Sequence, residues 1–127
     1  MWNEIEQNLF LGDLQDAKDF ASSKDGVIIC VLEDRPHDEP FKALHIPIIT
    51  NSGHIHSKDL ANISDILTAL LNAGNKVLVH CMAGMERSPL VIAYHLTRTK
   101  GIDIHEAYKI VKKKRPQIFD RRTWIID

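Results

Sequence analysis

A chain of 127 residues is the size of one compact domain and leaves little room for a second. With 44% hydrophobic and 26% charged residues it falls among packed globular chains and is excluded from disordered or collagen-like ones. The net charge of −1 conceals a polarity: residues 1–66 carry five Lys or Arg against twelve Asp or Glu, and residues 67–127 carry eleven against five, which suits a positive end facing an anion.

In chain order, Asn8 to Gly12 reads as a short strand stopped by glycine, and the polar stretch after Asp13 reads as a short helix. Val27 to Leu32 is apolar throughout, the pattern of a strand buried on both faces. It is also the longest apolar run, far short of the ~20 residues of a membrane span. The N-terminus lacks a basic-then-apolar leader, so no membrane is expected and the expected compartment is the cytosol. A polar loop, Glu33 to Pro40, precedes a second strand candidate, Ala43 to Ile49, in which Pro47 suits an edge or an end. From Ser57, read as the cap, Leu60, Ile63, Leu67, Leu70 and Leu71 share one helical face up to Gly74. Lys76 to His80 is a compact strand, Cys81 to Arg87 a loop containing glycine, and Ser88 to Lys100 a helix with Pro89 in its first turn. A last helix runs from about Asp103, with Glu106 as its capping-box partner, to Arg115, where Pro116 stops it. Strands alternating with helices imply an α/β fold: a central, mostly parallel sheet of four to five strands flanked by helices.

The loop from His80 to Ser88 lies where a strand hands over to a helix, the place where ligands collect in such folds. A cysteine there faces successive backbone N–H groups and the positive end of a helix dipole, both of which stabilise a thiolate. The same donors cradle a phosphate. Arg87 offers a planar fork for two phosphoryl oxygens, Gly84 permits a sharp turn close to the ligand, and Ser88 can hydrogen-bond the sulfur. A lone Cys is usually a small core residue, but Cys, five residues, Arg and Ser between an apolar strand and a Pro-started helix is a rare conjunction.

These residues resemble the cysteine-based protein tyrosine phosphatases, more narrowly their small dual-specificity branch. The likeness extends to Leu9 to Leu14 with Asp16 to Asp19, to Val77 through Tyr94, and to Glu106 through Val111 with Arg115 and Pro116. It implies a phosphatase-type phosphate loop between a strand and a helix, in a single catalytic domain over residues 1–127. It further implies a two-step reaction through a phosphocysteine, with no metal and no cofactor. Position by position, Cys81 would be the nucleophile, Arg87 would bind the phosphate and the transition state, and Ser88 would assist release of the thiolate. The amides of Met82, Ala83, Gly84, Met85, Glu86 and Arg87 would bind the phosphate, and His80 would order the loop.

Where the family usually carries an Asp as general acid, this chain has Thr50 or Asn51, neither of which donates a proton in the usual way. Asp59, His54 and His56 are the candidate substitutes, although Asp59 equally suits the first turn of its own helix and the histidine pair lacks the partners a metal site needs. Glu86 inside the loop opposes a dianion unless it turns outward, and is expected to hold a basic residue there. Lys109, Lys112, Lys113, Lys114, Arg115, Arg121 and Arg122 read as a solvated basic face or as an electrostatic guide for an acidic phosphoprotein or RNA. Cys30 reads as a core residue, and Trp2 and Trp124 as packed internally or against a partner. Three functions are carried forward: a protein phosphatase acting on phosphotyrosine, with phosphoserine and phosphothreonine as further substrates; an RNA 5′-phosphatase; and a phosphate-binding module without turnover.

Overall fold

A computed structural model describes residues 1–23, 26–34, 43–48, 50 and 53–127. Five strands form one sheet: β1 (Asn3–Glu6), β2 (Leu9–Gly12), β3 (Gly26–Cys30), β4 (Leu44–His45) and β6 (Lys76–His80), in the order β1-β2-β6-β3-β4. Only β1 runs antiparallel to its neighbour. The α/β sheet read from the sequence is present, with β6 at its centre. Of the segments expected to be irregular or extended, Arg35 to Pro40, Ile49 and Asn51 lie outside the described residues.

The continuous apolar runs are explained by burial on both faces, because alternate side chains of one strand enter opposite layers. Leu78 and Ile28 pack with Ala17 and Phe20 of α1 (Leu14–Ser23) on one face, where Phe20 meets Trp2 edge-on at 5.4 Å. Val77, Val79 and Ile29 enter the larger core on the other face, against α2 (Ser57–Asn72), α3 (Arg87–Lys100) and α4 (Ile104–Lys114). Trp124 also packs against this larger core, so both tryptophans pack internally. Cys30 is a core residue, 1% exposed.

Side chains cap the starts of α1 and α4, whereas those of α2 and α3 have no side-chain cap, and Glu106 does not close the capping box expected of it. Asp13 and Asp16 cap the start of α1 reciprocally, each side chain accepting from the other's backbone N–H at 2.7 and 3.0 Å. Asp103 caps α4 by accepting from the Glu106 N–H at 2.8 Å, while the Glu106 carboxylate accepts from Lys109. Ser57 does not cap α2: a two-residue strand, β5 (Ile55–His56), runs straight into the helix, so His56 holds the cap position and Ser57 is already in the first turn. β5 pairs in parallel with β7 (Ile125–Ile126), tying the end of the chain to the start of α2.

The interface of α2 with α3 contains one buried polar pair, Ser64 Oγ and His95 Nδ1 at 2.8 Å. Burial holds the His95 pKa below its usual value, with a smaller opposing effect from Glu6 and a further lowering by Arg98. A histidine whose folded pKa is depressed takes up its proton more readily in the unfolded chain, so its stabilising contribution is present above about pH 6.5 and is lost as pH falls through that value towards the folded pKa. The thermal unfolding midpoint is expected to fall as pH drops from about 7.5 to about 5.5, and His95→Gln is expected to flatten that slope. An equal slope in the variant would remove His95 as the cause.

Candidate active site

The central strand β6 ends at His80, and the chain then turns through Cys81 to Glu86 before α3 begins at Arg87. This loop and two flanking side chains, Leu32 and Phe119, enclose a cleft of about 350 Å³. Cys81 lies in it, 5% exposed, with its Sγ 3.1 Å from the Oγ of the fully buried Ser88, the second residue of α3. Arg87 lines the same cleft, and among the described residues no hydrogen bond or ion pair engages its side chain. Met82 and Phe119, 60% and 48% exposed, give the rim an apolar character suited to an aromatic ring.

The loop's carbonyls are all held from outside the cleft. Cys81 O accepts from His80 Nδ1 at 3.1 Å, Met82 O from Leu14 N at 3.0 Å, and Glu86 O from Leu90 N at 3.2 Å within α3. Met85 O accepts from Phe119 N at 2.8 Å, and Gly84 O and Ala83 O accept from Arg115 Nε and Nη2 at 3.0 and 3.4 Å. Six consecutive carbonyls are thereby satisfied away from the cleft, and the intervening amides remain available to an anion. Gly84 adopts a positive φ of 67°, and a Cβ there would lie 2.7 Å from Gly12 O, so the turn requires glycine.

Glu86 holds a basic residue, as expected from the sequence, pairing with Arg121 at 2.7 Å. The Arg121 guanidinium also stacks 5.2 Å from the ring centroids of both Phe119 and Trp124, and its backbone N–H donates to the buried Tyr108 hydroxyl at 3.2 Å. Burial pushes the Tyr108 phenol pKa up, so it remains a neutral acceptor for that bond.

Residues 9–125 match the family model of the dual specificity phosphatase catalytic domain. The chain belongs to the dual specificity phosphatase family. Among curated relatives it is 30% identical to "Putative tyrosine phosphatase 123R" of Invertebrate iridescent virus 6, over 96% of this chain and 85% of that one. It is 26% identical to dual specificity protein phosphatase 1B of Arabidopsis thaliana, over 97% and 77%. The structure of human DUSP28 superposes with a TM-score of 0.81 at 23% identity, covering 97% of this phosphatase and 86% of DUSP28.

Set against the sequence reading, the loop after β6 gathers Cys81, Met82, Ala83, Met85, Glu86 and Arg87 in one cleft, with Ser88 against the sulfur. The three acid candidates are not brought there: His54, His56 and Asp59 are exposed and none lines the cleft. Thr50 is half-buried, and Asn51 lies outside the described residues. The carboxylates that follow the cleft wall directly are Glu33 and Asp34, exposed just after Leu32, in the loop that sequence reasoning passed over as merely polar.

The basic cluster divides. Lys109, Lys112, Lys113 and Lys114 are exposed, as a solvated face requires. Arg115 is only 3% exposed and departs from that expectation, because its neighbours are the backs of Ala83 and Gly84 rather than water. Arg122 pairs with Asp120 at 2.9 Å.

Proposed function

We propose that the chain is a cysteine-dependent protein phosphatase that prefers phosphotyrosine, with Cys81 as nucleophile, Arg87 as the phosphoryl clamp and Ser88 as the group that eases thiolate departure. The observation that carries this reading is the pairing, in one cleft, of a thiol bonded to a serine hydroxyl with a loop whose six carbonyls are all tied back. In the first step the Cys81 thiolate attacks phosphorus, an S–P bond forms, and the P–O bond to the substrate breaks with the electron pair leaving on oxygen. In the second, water attacks the phosphocysteine, orthophosphate departs, and the sulfur leaves as a thiolate steadied by the Ser88 hydroxyl. Arg87 and the loop amides, aimed at the three equatorial oxygens, stabilise the charge that develops in both steps.

The preference for phosphotyrosine has two supports. Met82, Leu32 and Phe119 offer an apolar surface to an aryl ring. The one carboxylate lining the cleft among the described residues, Glu86, is committed to Arg121, so a leaving group that departs without much protonation is favoured. Phosphorylated proteins are the substrates in this reading and the cytosol is the compartment. Among the described residues no helix is long and apolar enough to cross a membrane.

Initial rates on phosphotyrosine, phosphoserine and phosphothreonine peptides of one sequence, and on 5′-triphosphate RNA, test the assignment. The expected kcat/KM for phosphotyrosine exceeds that for phosphoserine by about 10²-fold or more, the scale of one missing proton donor. Faster release from the RNA would replace this reading with the RNA 5′-phosphatase, and tight phosphopeptide binding without turnover would replace it with a binding module.

A further inference from the structure

The side chain that does most to shape the phosphate loop lies outside it. Arg115, at the end of α4, is buried beneath the loop with its guanidinium fully engaged. Nε and Nη2 donate to Gly84 O and Ala83 O, and Nη1 donates to Met1 O at 3.0 Å and Asn3 Oδ1 at 2.8 Å. Its nearest carboxylate, Asp16 Oδ2, is 3.9 Å away and also accepts from the Asp13 N–H at the start of α1. Contact behind the loop is so close that a Cβ on Gly84 would come within 2.9 Å of Arg115 Nη2.

The geometry of the peptide unit turns this into a statement about the opposite side. In a trans peptide the C=O of one residue and the N–H of the next point in opposite directions. A guanidinium that draws the Ala83 and Gly84 carbonyls backwards therefore directs the N–H groups of Gly84 and Met85 forwards, into the anion site. The other four carbonyls have backbone or imidazole donors from elements that fold in any case. These two depend on one side chain, and a lysine cannot replace it, because a single ammonium lacks the planar fork that spans both carbonyls and the Asn3 side chain at once.

We propose that Arg115 is a positioning residue for catalysis: from behind, it presets the amides of Gly84 and Met85 for the phosphoryl group, and through Asn3 it ties the affinity of the site to the first strand. This rests on reading the Cys81 to Arg87 segment as the phosphate-binding loop. Arg115 does not touch the substrate; its effect is exerted through the two peptide planes.

The test uses the full chain with Arg115→Met, Arg115→Lys and Asn3→Ala, para-nitrophenyl phosphate as substrate and orthophosphate as inhibitor, with active sites counted by alkylation of Cys81. For Arg115→Met, the KM and the phosphate inhibition constant are expected to rise in parallel, and kcat/KM per active site to fall on the order of 10²-fold, the scale of a small misplacement transmitted to a catalytic centre. Arg115→Lys is expected to show a smaller shift in the same direction, and Asn3→Ala a severalfold rise in both constants with its fold intact. A merely structural role would lower the melting temperature and the number of active sites while leaving both constants per site at wild-type values, and that result overturns the proposal. Should Arg115→Met not fold, Arg115→Lys and Asn3→Ala decide by the same criterion. Wild-type protein that neither hydrolyses the substrate nor protects Cys81 with phosphate would instead overturn the reading of the loop itself.

Discussion

Cys81→Ser is expected to lower hydrolysis of para-nitrophenyl phosphate by roughly 10⁵-fold, the order seen when a catalytic nucleophile is removed from an assembled site. A thiolate attacks without a base, whereas a serine hydroxyl needs one, and the neighbouring imidazole is not placed to serve. His80 is buried with its Nδ1 bonded to the Cys81 carbonyl, and adjacent residues of an extended segment point to opposite faces. Substitution of one atom in a site already 5% exposed should leave the melting temperature near wild type and leave phosphate binding in place, because Arg87 and the loop amides are untouched. Chelator should have no effect on the wild-type rate. Residual activity above a few per cent of wild type would mean that the thiol is not the nucleophile.

Arg87 carries the second large effect. Arg87→Ala is expected to reduce kcat/KM by about 10³–10⁵-fold, the range associated with an arginine that stabilises a transferring phosphoryl group. Arg87→Lys should recover little of it, because an ammonium offers a point charge where two oxygens of one plane need a fork. Among the described residues nothing in the protein engages the Arg87 side chain, so neither substitution removes a structural bond and both variants should melt close to wild type. Stability and activity separate here in a way that distinguishes Arg87 from Arg115, whose guanidinium is bonded on every arm. The neighbour Glu86 reinforces the point: its carboxylate is neutralised by Arg121 at 2.7 Å, which leaves Arg87 free to meet an anion. Unchanged kcat/KM in Arg87→Ala, measured in folded protein, would remove the arginine from the mechanism.

Much of this site was legible because its information is local. The Val77 to Val79 run, the Cys81 to Arg87 loop and the Pro-started helix are contiguous, and contiguous patterns fix a strand, a turn and a helix start without knowledge of what packs on them. The pairing of Glu86 with a basic residue is likewise foreseeable from charge alone. What stayed hidden depends on distant partners or on elements too short to show a period. β5 and β7 are two residues each, and β1 alternates over only four. Arg115 sits in a lysine-rich run and looks solvated until the chain brings Gly84 and Asn3 to it. The proton donor is hidden for a related reason: His54, His56 and Asp59 follow a strand in sequence, yet the fold leaves them exposed and outside the cleft.

Central to the account is a covalent phosphoryl group on one sulfur, and its most direct test is acid quenching of the wild-type enzyme during turnover of para-nitrophenyl phosphate, followed by mass spectrometry of the peptide containing Cys81. The account predicts one added phosphoryl group on Cys81, lost on treatment that cleaves phosphothioesters and absent in Cys81→Ser, with more of it accumulating in Ser88→Ala because the sulfur, 3.1 Å from that hydroxyl, then leaves more slowly. Sustained turnover with no phosphoryl group on Cys81 in either the wild type or Ser88→Ala would contradict it and place the chemistry on a direct attack by water.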